Sequence, residues 1–143
     1  MRTLEEIQRM SRDEKIASLR GITPDGIIRA LLAYLPETFL SDREKLHAAI
    51  QKLRRKEEYW ELLKDFEPVP GAVFEYSALL ERVLKRLQEA RMLTTQSPDL
   101  TVFQVSAETR GVIALEILRK FSATQQNNLK KIAGVLTEEL KVL

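Results

Sequence analysis

Around Leu80 to Leu87 apolar residues recur at three- and four-residue steps, but between Met92 and Val105 that spacing gives way to a strand-like alternation. The change confines the chain to helical folds that also carry a small sheet. Leu80, Val83, Leu84 and Leu87 form a stripe opposite Glu81, Arg82, Lys85 and Glu89, on a helix that Ser77 is placed to cap. Met92-Leu93-Thr94-Thr95 then runs into Gln96-Ser97-Pro98-Asp99, a turn by composition. In Leu100 to Val105, which is β-branched and aromatic, Thr101, Phe103 and Val105 alternate with Val102 and Gln104. One antiparallel hairpin is expected. A lone hairpin is marginal in water, so it must pack on helices.

The rest of the chain reads as helices divided by few breakers, five Gly and five Pro in 143 residues. Thr3-Leu-Glu-Glu6 and Ser11-Arg-Asp-Glu14 both fit the capping box, which predicts two short N-terminal helices or one broken one. Thr23-Pro24 opens the next helix, whose Ile27, Ile28, Leu31, Leu32 and Leu35 run to Pro36. Ser41-Asp-Arg-Glu44 is a third box, ahead of Leu46, Ala49, Ile50 and Leu53 on one face. Tyr59 to Phe66 again has helical spacing and ends at Glu67-Pro68-Val69-Pro70-Gly71, after which Val73 to Tyr76 is extended in character. Ser106 caps a helix expected to reach Phe121, and Ser122-Ala-Thr-Gln125 is a fourth box. The last stripe, Leu129, Ile132, Leu136 and Leu140, is narrow and reads as a helix–helix seam.

Composition removes several function classes. The absence of Cys excludes disulfides, thiolate nucleophiles and thiolate zinc sites. With one His, His47, neither a three-His metal site nor a triad relying on a second His can form; beside Leu46, Ile50 and Leu53 it reads as a boundary residue. The acid pairs Glu5-Glu6, Glu57-Glu58 and Glu138-Glu139 are sequence neighbours, which diverge on a helix and make no dyad. No phosphate-binding glycine loop or nucleophile elbow occurs, so the expected class is not an enzyme, with no cofactor and no metal. No apolar run is long enough to span a membrane, and the chain reads as cytoplasmic. Twenty-three Lys and Arg against 21 Asp and Glu give a net +2, which excludes a strongly basic carpet but not a local basic face.

The stretch 74–118 resembles the carboxy-terminal part of a winged helix-turn-helix, as in MarR- and PadR-type regulators. The residues that carry the resemblance are Ser77, the Leu80/Val83/Leu84/Leu87 stripe, Leu93, the Gln96–Asp99 turn, Val102–Val105, Ser106 and Gly111. Members of those families usually carry Gly just before the strand, where this chain has Arg91-Met92-Leu93, and the turn here has no Lys or Arg. A weaker resemblance, the Tyr-Ser entry after a long Pro/Gly connection, is to winged-helix subunits of bacterial multi-component and defence systems. The expected architecture is thus a winged-helix core over 23–121, an N-terminal helical extension over 1–22 and a packing or dimerisation helix over 122–143.

The resemblance implies a recognition helix with Ala78, Glu81, Arg82, Lys85 and Arg86 toward the groove, and Tyr76 and Ser77 on phosphates. The same residues also read as a solvated face with Glu81 paired to Lys85 one turn on. Lys52, Arg54, Arg55 and Lys56 are possible phosphate contacts, or cations that suit a helix C-terminus. Trp60 reads as a core or interface anchor. Two functions follow. One is a DNA-binding regulator on double-stranded DNA, a homodimer through Leu129, Ile132, Leu136 and Leu140. The other is a non-enzymatic interaction subunit that uses the winged helix as a scaffold for a protein partner.

Overall fold

A computed structural model describes residues 22–69, 76–96 and 102–141. The N-terminal boxes at Thr3 and Ser11, the extended reading of residues 73–75 and most of the Gln96–Asp99 turn lie outside the described residues. The first helix, α1 (Pro24–Tyr34), starts where expected: Thr23 Oγ1 accepts the Gly26 N–H at 3.1 Å and Pro24 supplies a preset φ at the first turn. Ile27, Ile28, Ala30, Leu31, Leu32 and Leu35 are buried, giving α1 an apolar surface broad enough to pack on three later helices.

After Pro36 the chain forms β1 (Thr38–Leu40), which the sequence pattern did not predict. Helix α2 (Arg43–Arg54) follows, and Asp42, not Ser41, caps it, accepting the Lys45 N–H at 3.1 Å. Helix α3 (Glu57–Leu63) packs on α2, burying Tyr59, Leu62 and Leu63. Across the 70–75 connection, Val69 and Tyr76 exchange backbone hydrogen bonds of 2.8 and 3.1 Å, which sets the entry into α4 (Ala78–Glu89).

Strands β2 (Thr94–Gln96) and β3 (Val102–Gln104) pair antiparallel, as the hairpin reading expects. The hairpin is only part of the sheet. Strand β1 pairs with the other edge of β3, giving the order β1-β3-β2, with Phe39 opposite Phe103 and their rings 5.7 Å apart. Central placement explains why β3 is the most strongly β-patterned segment: both its edges are paired and Phe103 is buried.

The turn from α4 into β2 has a geometry that suits glycine, although this chain has none there. Arg91 N–H bonds Gln88 O at 3.0 Å and Met92 N–H bonds Leu87 O at 2.9 Å, the two bonds of a Schellman ending. That geometry puts its central residue in the left-handed region, and Arg91 has φ +60°. Arginine therefore stands where backbone sterics favour glycine.

Helix α5 (Ala107–Glu116) is capped by Ser106, whose Oγ accepts the Thr109 N–H at 3.1 Å. It stops at Glu116 rather than Phe121; a 3-10 turn covers Leu118–Lys120. Helix α6 (Ala123–Glu139) opens with the full capping box, Ser122 and Gln125 satisfying each other's backbone N–H. Its stripe corrects the expected seam between chains. Leu129, Ile132, Leu136 and Leu140 are 0–1% exposed, packed within the same chain on α1, α2 and α3. Ala133, also buried, widens the stripe to the breadth of a core-facing helix. Residues 123–139 therefore share one core with α1, and Leu40 N–H bonds Leu140 O at 2.8 Å.

Candidate nucleic-acid interface

Helix α4 turns about 100° per residue, so Leu80, Val83, Leu84 and Leu87 fall inward while Ala78, Arg82, Lys85 and Glu89 share the outward face. Both edges of that face are tied to the body of the protein. On one edge Glu81 accepts Arg43 Nη1 at 2.7 Å through Oε2 and meets His47 Nε2 at 2.8 Å through Oε1. On the other edge Arg86 donates to Asp25 twice, Nε to Oδ2 at 2.8 Å and Nη2 to Oδ1 at 2.5 Å. The Arg86 guanidinium holds the Asp25 carboxyl below its usual value, and Asp25 in turn raises Arg86.

His47 is fully buried, which corrects the boundary reading. Its Nδ1 accepts the backbone N–H of Ser77 at 3.0 Å. An amide N–H can only donate, so Nδ1 is unprotonated and Nε2 carries the hydrogen that Glu81 accepts. One imidazole thereby joins the middle of α2 to the first turn of α4. The Tyr76 ring stands edge-on to it, centroids 6.1 Å apart. Sequence reasoning passed over both His47 and Arg43 as parts of this site. The available signal was their spacing of four on α2, but the shared partner, Glu81, lies 34 residues beyond His47.

These contacts sort the expected DNA-facing residues. Ser77 is buried, its Oγ accepting the Leu80 N–H at 3.1 Å, so the reading of Ser77 as a phosphate donor is corrected to that of a helix cap. Arg86 is committed to Asp25, and Glu81 pairs with Arg43 rather than Lys85. Arg82 and Lys85 are exposed and have no ion pair among the described residues; Ala78 and Tyr76, at the start of α4, are half-buried.

The second basic group divides as well. Arg54 turns back onto its own fold, donating to Lys64 O at 3.2 and 3.0 Å and lying 4.6 Å from the Trp60 ring centroid. It is corrected from a phosphate contact to a clasp between α2 and the end of α3. Trp60 is 43% exposed, so it is not a core residue. Lys52, Arg55 and Lys56 are exposed at the C-terminal end of α2. Because α2 meets α4 through Arg43 and His47, these cations sit roughly 8 to 20 Å from that contact along the α2 axis.

Away from α4, a solvent-open depression of about 620 Å³ is lined by Arg55, Glu57, Trp60 and Glu61, beside the Arg54 clasp. An apolar void of about 20 Å³, lined by Leu31, Leu35, Phe39, Leu84 and Leu136 among others, has room for little more than one water. No cluster of three or more His, Asp or Glu that could hold a metal occurs among the described residues. No helix there is long and apolar enough to cross a membrane. No family model, no curated protein and no solved structure matches this chain.

Proposed function

We propose that the protein is a winged-helix DNA-binding protein of the regulator type, with α4 as the helix that enters the major groove. One observation carries the reading: β1, between α1 and α2, joins the sheet through β3, so α2, α3 and α4 all lie between the first strand and the β2–β3 pair. A helix-turn-helix backed by a three-stranded sheet needs that order, with α3 an added helix. The pinned edges of α4 support the same reading, since a groove-reading helix must present its side chains from a rigid seat. Arg82 is suited to a guanine edge and Lys85 to a phosphate. Glu81 would repel phosphate if bare, but Arg43 neutralises it.

The test is fluorescence anisotropy of the full chain on mixed-sequence duplexes across a salt series. Affinity should fall as salt rises; Lys85→Ala should lower the slope by about 1, and Arg82→Ala should cost about 1–3 kcal/mol on a preferred site. Binding that ignores salt, or that survives the double change intact, overturns the reading. A second reading, an interaction subunit using the same scaffold, draws on Glu89 sharing the outward face with Arg82 and Lys85. Indifference to duplex even at low salt would favour it.

A further inference from the structure

Exposed large apolar side chains stand singly at Trp60 on α3 and Val135 on α6, but two share α5. Leu115 is 75% exposed and Val112 47% exposed, though α5 is otherwise anchored by buried Ile113 and by Arg110 donating to Ala33 O at 3.3 Å. Two isolated surface apolar residues would mean little. Here they adjoin exposed Gly111 and Ala114, and a Cβ built on Gly111 would meet nothing within 4 Å. Another backbone can therefore approach this side of the helix closely.

Charge says which backbone. Glu108, Val112 and Leu115 follow one stripe of α5, and Arg119, on the 3-10 turn that continues it, stands at the opposite end. The stripe thus runs acid, apolar, apolar, base. Glu108 and Arg119 are both exposed, with no ion pair among the described residues. An antiparallel copy about a two-fold axis between Ile113 and Ala114 brings residue 112 against 115 and, by the same axis, residue 108 against 119. A parallel copy would instead oppose Glu108 to Glu108 and Arg119 to Arg119.

We infer that α5 is the self-association surface of this protein, pairing antiparallel with α5 of a second copy, Val112 on the partner's Leu115 and Glu108 on the partner's Arg119. An isologous contact of this kind makes each favourable pair twice. The inference stands apart from DNA binding, since the interface is read by mass and not by duplex affinity.

Sedimentation velocity of the full chain over a concentration series tests it. The natural sequence should form a dimer. Leu115→Glu, which touches no core contact and should leave the far-ultraviolet circular dichroism unchanged, should weaken that dimer by about 30-fold or more. Glu108→Arg should weaken it about fivefold, and Glu108→Arg combined with Arg119→Glu should return it to the natural strength. A natural chain that stays monomeric at high-micromolar concentration overturns the inference, as does a dimer indifferent to Leu115→Glu. So does charge reversal that the second reversal fails to rescue.

Discussion

Arg86 grips Asp25 with two parallel hydrogen bonds, joining the last turn of α4 to the first turn of α1. Both side chains are partly open to water, 48% and 30% exposed, so the pair holds α4 in place more than it adds to stability. Because the folded protein lowers the Asp25 carboxyl, the stabilisation it brings is complete above the ordinary value of 3.8 and is lost as pH falls through the lower folded value. Asp25→Asn should therefore lower the urea midpoint at neutral pH, and the gap from the natural chain should close under acid conditions below that ordinary value. A gap that stays constant into acid would show that the carboxylate charge is not what the pair supplies. The same variant releases Arg86 beside Arg82, so duplex affinity should rise if α4 reads DNA.

His47 should be intolerant of apolar replacement despite its snug site. His47→Leu strands the Ser77 N–H and removes a partner from Glu81, a buried loss of about 2–4 kcal/mol. Equilibrium urea unfolding measures it. A cost below about 1 kcal/mol would mean that water replaces the imidazole.

Arg91 predicts a gain. Arg91→Gly removes the Cβ clash of the left-handed conformation, partly offset by the greater freedom of glycine in the unfolded chain, for a net stabilisation of about 0.5–1 kcal/mol. The readout is a higher thermal midpoint. Equal or lower stability would mean that the Arg91 side chain makes up for its backbone strain.

Helix α6 should be indispensable to the fold. Leu136→Ala should cost about 2–5 kcal/mol, and a chain ending at Phe121 should lose its cooperative unfolding transition. Had this stripe served only as a contact between copies, truncation would leave a folded monomer. Circular dichroism melts distinguish the two outcomes.

Local signals were legible in the sequence and partnerships were not. The caps at Thr23, Ser77, Ser106 and Ser122 all form, because a cap is settled within three residues. Strand β1 escaped notice for the opposite reason. The three residues Thr38–Leu40 are too few to show alternation, and only the bonds to β3, more than sixty residues on, make them a strand. The cap of α2 slipped by one residue because Ser41 and Asp42 both have the required oxygen. The apolar stripe of α6 is broader than its pattern suggests because alanine counts weakly there, although Ala133 is as buried as its leucine neighbours. In the candidate site, the outward positions of Arg82 and Lys85 followed from periodicity, while the commitments of Arg86, Arg54 and His47 depended on residues 10 to 61 positions away.

The hydrogen bond from Leu40 to Leu140 also bears on how the protein is made. A ribosome releases α1, β1 and α2 long before it has synthesised the helix that covers them. Until then Leu31, Leu32 and Ile50 have no complete roof, and the nascent chain must hold an open apolar surface while residues 55–122 are made. Substitutions that slow the docking of α6 should therefore appear first as lost yield in cells, before any defect can be measured in the purified protein.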